Sequence, residues 1–226
     1  MKKKSFRIAM VFVIIGIGLS LWQFGYLQGL QNSTNSPTTF EASNSEWKSQ
    51  VVNKTPENAT FAGGCFWCIE GAYMGVEGVE SAVSGYTEGK ASTATYDQVK
   101  TGQTDHREAV RVQYYPSIIS YNELLDIFWT SIDPTDPGGQ FSDRGPQYTT
   151  AIYPHNDKQY TLAKQSKKNL SESGKFEEPI VTEIENHTAF YRAEDYHQNY
   201  SRRNTAQYKA YERASGRAGF IERVWN

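Results

Sequence analysis

The apolar positions divide the chain into an unbroken apolar run, a polar stretch and a long region of alternating patterns. "IAMVFVIIGIGLSLWQFGYL", Ile8–Leu27, carries no charge and follows the cationic start "MKKKSFR". Twenty such residues span about 30 Å as a helix, the thickness of a bilayer's hydrocarbon core. The length and the absence of an A-x-A-like cleavage site favour a signal-anchor over a cleaved signal peptide for residues 1–30. In either case Lys2, Lys3, Lys4 and Arg7 stay on the cytoplasmic side. The remainder is then extracytoplasmic, single-pass on the cell membrane of a bacterial envelope, or secreted if the segment is cut. Residues 31–58, rich in Asn, Ser and Thr without periodicity, read as a flexible tether. The folded domain is expected over residues 59–226.

Within that domain "ATFAGG" gives a short strand, Thr60–Ala62, that ends in a glycine pair, and "FWCIEGAYM" gives a helix opening at or just after Cys65. "VESAVSGY" alternates as a strand. "EAVRVQYY" is a second, with Val110, Val112 and Tyr114 on one face and Pro116 closing it. "SYNELLDIFWTSI" is a helix with a Ser120/Glu123 capping box and a stripe of Leu124, Leu125, Phe128 and Ile132. After the turn-rich "DPTDPGGQFSDRGPQY" come a strand, "TTAIYP", and a polar helix near Asp157–Ser173 stopped by Gly174. A strand "PIVTEIE" and a last helix around Thr205–Ala214 complete the order. Strands alternating with helices predict an α/β or α+β sandwich.

Composition narrows the function classes. A formal net charge of −2 gives no basic face for nucleic acid. The chain holds two cysteines, Cys65 and Cys68, spaced Cys-x-x-Cys. That spacing closes too small a loop to make a useful structural staple. A metal site needs two further ligands, and the four histidines (His106, His155, His187, His197) are scattered, so no metal is expected. Redox chemistry is favoured over a metal or inert role. Gly63 and Gly64 turn the backbone from strand to helix and leave Cys65 at the helix start, where unpaired N–H groups and the dipole favour a thiolate. A free thiol of pKa ~8.5 is about 3% ionised at pH 7, and a shift to ~7 ionises about half. Cys68, one turn on, is expected to be desolvated and less acidic, an attacking cysteine being followed by a resolving one. Phe66 and Trp67 between them suggest an apolar pocket beside the nucleophile, or simply core.

With these residues in place, "GGCFWC" resembles the peptide methionine sulfoxide reductases of the A type, which act on the S epimer of methionine sulfoxide. The segments "SGYTEG", "TYDQV", "TGQTDHREAV", "LLDIFWTSIDPTDPGGQFSDRGPQY" and "YHQNY" follow in the family's order. The resemblance runs from about Ala59 to the C-terminus. It implies the family's two-layer α/β sandwich, with a central mixed sheet related to the ferredoxin-like arrangement. By position, it implies Cys65 as nucleophile, Phe66 and Trp67 as the cage for the substrate's S-methyl group, and Gly64 beside them. Glu108, Tyr96, Tyr148 and Asp143 match the remaining site positions. It also implies no bound cofactor, oxidised proteins or peptides as substrates, an external thioredoxin-like reductant and a monomer.

The chemistry makes sense of that set. A sulfoxide oxygen leaves only when protonated, which calls for a general acid whose pKa is lifted by burial, and Glu108 supplies it. Two tyrosine hydroxyls hold and polarise the same oxygen, and Asp143 orders a water. A sulfenic acid on Cys65 is then resolved by Cys68. Glu70 and His106 fall in matching segments without an assigned chemistry. Many members carry a resolving cysteine in a C-terminal extension, whereas "GRAGFIERVWN" holds none. The competing readings are a general thiol–disulfide oxidoreductase, which lacks a thioredoxin-like order here, and a surface module with an inert disulfide.

Overall fold

The computed structural model describes residues 46–225. The apolar run at 8–27 and most of the expected tether lie outside them, and no helix of the described residues is long and apolar enough to cross a membrane.

Six strands make one sheet. β1 (Glu57–Gly63), β2 (Val79–Thr87), β3 (Arg107–Tyr114) and β6 (Thr150–Tyr153) form its centre, in the order β6-β1-β3-β2 with antiparallel neighbours. Helix α1 (Phe66–Tyr73) connects β1 to β2, and α3 (Tyr121–Trp129) lies between β3 and β6. This is the split βαβ arrangement of ferredoxin-like sheets. β7 (Glu183–Ile184) adds in parallel to β6 and β8 (Phe190–Arg192) antiparallel to β2, so the sheet is mixed.

The period-two alternation of strands explains the layering. Phe61, Val110, Val112 and Ile152 turn to one face, where α1 supplies Phe66, Ile69 and Tyr73 and α3 supplies Leu124, Leu125 and Phe128. Phe61 stacks between Tyr73 and Phe128 at 5.4 and 5.2 Å. The opposite face has small residues, Ala62, Ala109 and Ala151, with Tyr153 and Phe190 packed among them. The α3 capping box forms as the sequence indicates: Ser120 Oγ accepts the Glu123 N–H at 3.3 Å and Glu123 Oε2 accepts the Ser120 N–H at 2.8 Å. Such a cap is worth about 1 kcal/mol. α4 (Asp157–Glu172) ends beside Gly174, whose φ of +71° suits glycine.

Other elements differ from the sequence pattern. Ordered packing begins upstream of Ala59: residues 46–50 are helical, Trp47 and Val51 are buried, and Glu57 and Asn58 pair with Tyr114 and Gln113 of β3. The boundary was hidden because Trp47, Val51 and Val52 are the sole apolar residues in an otherwise polar stretch, too few to show a period. "PIVTEIE" contributes only the two residues of β7 to the sheet, since the Val181 N–H is spent on the Pro134 carbonyl of a loop. Four short or terminal elements carry no clear pattern: α2 (Tyr96–Val99), α5 (Tyr200–Arg203), β8 and α7 (Arg217–Trp225). The expected final helix Thr205–Ala214 is α6, and two-residue strands β4 (Gly139–Gln140) and β5 (Asp143–Arg144) pair within the turn-rich loop.

Candidate active site

Gly64 makes the corner from β1 into α1. Its φ is +81°, and a Cβ there would lie 2.5 Å from Gln140 Cβ and 3.0 Å from Arg217 Nη2. Gly64 thus serves the backbone turn and does not line the pocket it precedes. Cys65 is the N-cap residue of α1, and its side chain accepts no hydrogen bond from the helix end. The register Phe61↔Val110 carries Glu108 alongside the end of β1, and alternation from Val110 and Val112 turns it to the helix-covered face. There Glu108 Oε2 accepts the Phe66 backbone N–H at 3.0 Å.

A pocket of about 130 Å³ opens at this junction, lined by Cys65, Phe66, Trp67, Tyr96, Glu108, Asp143, Tyr148 and Tyr211. The residues singled out from sequence therefore converge on one cleft, except for Gly64 and Cys68. Cys68 is buried and does not line the cleft, and the two thiols act on each other's ionisation. Tyr96 and Tyr148 do not sit in strands, where tyrosines are commonest. Tyr96 opens α2, and Tyr148 ends a 3₁₀ turn over Pro146–Tyr148. Both hydroxyls are held protonated, chiefly by burial and then by Glu108.

Burial pushes the Glu108 carboxyl up to about 8; the Phe66 N–H pulls the other way, and Asp143 and Cys68 add to the rise. At neutral pH it carries a proton. One oxygen accepts from Phe66, and the other is free to present that proton to the pocket.

The thiols reverse the expected order. Burial pushes the Cys65 thiol well above its ordinary value, and the hydrogen bond with Cys68 and the negative field of Cys68, Glu108 and Asp143 push it further. The same hydrogen bond draws Cys68 down against its own burial, helped by Arg217. The helix start does not create a Cys65 thiolate because burial and the surrounding negative charge outweigh it.

The aromatic wall is braced by residues that sequence reasoning left without a role. Trp67 stacks on Tyr200 at 3.8 Å and 9°, and its indole N–H donates to His197 Nδ1 at 3.2 Å. Glu70, buried in α1, accepts the Asn199 and Tyr200 N–H groups at 3.0 and 3.3 Å, which fixes α5 and hence Tyr200. Glu194 accepts the Tyr96 N–H at 2.9 Å and the Tyr86 hydroxyl at 2.8 Å. Phe66 is both cage wall and core, with a 1% exposed side chain. His106 fills the β2–β3 connection, hydrogen-bonded to Thr93 Oγ1 and the Lys90 carbonyl.

Tyr211 was missed. It reaches the pocket from α6, and its hydroxyl donates to Asp143 Oδ2. Its signal was present: Tyr208 and Tyr211 are three apart on an expected helix and so share a face.

A family model for peptide methionine sulfoxide reductase matches residues 57–226. The MsrA peptide methionine sulfoxide reductase of Bacillus subtilis (strain 168) is 50% identical over 174 residues, covering 77% of this chain and 98% of that protein. The MsrA of Listeria welshimeri is 47% identical over 175 residues, 77% of this chain and 99% of that one. Among solved structures, reduced Mxr1 from Saccharomyces cerevisiae superposes with a TM-score of 0.63 at 31% identity, covering 68% of this chain and 88% of Mxr1. Methionine sulfoxide reductase A of Corynebacterium diphtheriae gives 0.59 at 28%, covering 68% and 77%. The chain belongs to the peptide methionine sulfoxide reductase family of the MsrA type, and it is an oxidoreductase that returns methionine sulfoxide in peptides to methionine.

Proposed function

We propose that the 130 Å³ pocket is where the sulfoxide is reduced, with Cys65 as the residue oxidised. The observation that carries this reading is a protonated carboxyl and two tyrosine hydroxyls facing a thiol across an apolar cage. Phe66 and Trp67 receive the S-methyl group. Glu108, Tyr96 and Tyr148 donate to the sulfoxide oxygen, and Asp143, tied to Tyr211, holds a water in the same network.

As the Cys65 sulfur attacks the substrate sulfur, Glu108 gives its proton to the oxygen and the Cys65 proton replaces it. The balanced result is thiol plus sulfoxide giving sulfenic acid plus thioether, with two electrons moving to the substrate. Cys68 then displaces the oxygen as water and forms the Cys65–Cys68 disulfide. Residues three apart across a helix start lie within disulfide reach. An external dithiol of the thioredoxin class regenerates the thiols, with no bound cofactor.

The chirality of the cage selects the S epimer. With a peptide carrying both sulfoxide epimers and excess dithiothreitol, methionine followed by chromatography should stop at about half conversion. Complete conversion would contradict this stereochemistry.

We also propose that Ile8–Leu27 anchors the enzyme with its catalytic domain outside the cytoplasm, supported by the charge-free run after a cationic start. Protease added to intact, wall-stripped cells should digest the domain while a cytoplasmic marker survives. Protection until lysis would refute the orientation.

A further inference from the structure

Arg217 opens α7 and is 2% exposed. Its guanidinium donates to two backbone carbonyls, Gly63 at 3.0 Å and Ser131, and packs over the Phe141 ring at 4.7 Å. No carboxylate pairs with it among the described residues. A buried cation without an anionic partner is costly, and an anion formed nearby during the reaction offsets that cost. Arg217 lies against the corner that leads into Cys65: its Nη2 would be 3.0 Å from a Cβ on Gly64. We propose that Arg217 is the counter-ion for the Cys68 thiolate, positioning charge for the resolving and recycling steps rather than for sulfoxide reduction.

The inference rests on the reading of Cys68 as the resolving thiol. The charged and titratable groups whose fields reach Cys68 are Cys65 on its own helix, Glu108 from β3, Asp143 from β5, Tyr208, Tyr211 and Glu212 from α6, and Arg217 from α7. Of these, Arg217 alone is cationic, and its field favours the charged form of Cys68 against the acidic groups around it.

Two steps use that charge. In the first, the Cys68 thiolate attacks the Cys65 sulfenic sulfur; an S–S bond forms, the S–O bond breaks, and the oxygen leaves as water with protons from the pocket. Cys68 is oxidised and Cys65 reduced. In the second, the thiolate of an external dithiol attacks Cys65, the sulfur that lines the pocket, and expels Cys68 as a thiolate. A better-stabilised leaving thiolate departs faster. The dithiol's second sulfur then releases Cys65 as a thiol and leaves the external disulfide.

The test is rapid-quench single turnover of the full, reduced chain with a methionine-sulfoxide peptide, comparing Arg217→Gln and Arg217→Lys with the wild type. Methionine release should stay within about twofold in both. Disulfide formation should slow about tenfold or more in Arg217→Gln, with a sulfenic acid trapped by dimedone, and Arg217→Lys should recover part of the rate. In a Cys65→Ser background, the pH midpoint for alkylation of Cys68 should rise on Arg217→Gln, which a loss of packing alone would not produce. Wild-type disulfide formation in Arg217→Gln, an unmoved alkylation midpoint, or a fall in methionine release matching that in disulfide formation would each overturn the proposal. Failure of the wild type itself to form a Cys65–Cys68 disulfide would instead overturn the resolving role of Cys68.

Discussion

Glu108 accepts the backbone N–H of Phe66 at 3.0 Å, which ties the start of β3 to the first turn of α1 and sets the acid beside the nucleophile. Glu108→Gln keeps this hydrogen bond through its amide oxygen and removes the acid. The single-turnover rate of methionine release should fall about 100- to 10,000-fold, with substrate affinity changed far less. An unaltered rate at neutral pH would remove Glu108 from proton donation.

The same burial has a pH signature. With a Glu108 carboxyl titrating at about 8, the chemical step should be flat below that pH and fall with loss of a single proton above it. Stability follows with a definite sign. Below the ordinary carboxylate value near 4.5, both folded and unfolded chains hold the proton. Between 4.5 and about 8 the unfolded chain ionises while the folded one does not, so stability is lost as pH rises through this window. Denaturant unfolding should show Glu108→Gln gaining on the wild type between pH 4.5 and 8, by on the order of 1–4 kcal/mol. A constant difference across that range would contradict the buried acid.

Tyr96 and Tyr148 converge on the pocket from a short helix and a 3₁₀ turn, each with its hydroxyl protonated. Tyr96→Phe and Tyr148→Phe should each lower the single-turnover rate by less than Glu108→Gln, since one hydroxyl survives. The double variant should lose roughly 100-fold or more, in the range of a removed oxyanion donor. A double variant as active as either single one would show that the hydroxyls do not share the oxygen.

Tyr211→Phe leaves Asp143 without its hydroxyl donor. Because the Tyr211 hydroxyl is spent on Asp143 and not on the substrate oxygen, the rate should fall about tenfold or less. A loss as large as that of Glu108→Gln would place Tyr211 among the direct proton donors.

Much of this was legible in the sequence, and what was not has physical causes. The strand face of Val110 and Val112, the capping box at Ser120 and the glycine pair before Cys65 are local patterns, and each forms as written. The convergence of Tyr96, Glu108, Asp143 and Tyr148 was readable through the family resemblance, because four separate elements bring them together and no periodicity links them. Glu194 and Arg217 act through long-range contacts of the C-terminal segment that have no local sign, and the shared helix face of Tyr208 and Tyr211 did not reveal that Tyr211 meets Asp143. The acidity of the two thiols was misjudged for the same kind of reason. A helix start favours a thiolate where the thiol is solvated, and here burial and the carboxyls of Glu108 and Asp143, brought in from distant parts of the chain, outweigh it.

The most direct test of the account is methionine release in a single turnover, without added reductant, by the reduced wild type, Cys68→Ser and Cys65→Ser. Cys65 lines the pocket, while Cys68 is buried outside that lining. The account predicts about one equivalent of methionine from both the wild type and Cys68→Ser, the latter left with a sulfenic acid on Cys65, and none from Cys65→Ser. Methionine released by Cys65→Ser, or oxygen trapped on Cys68, would contradict it.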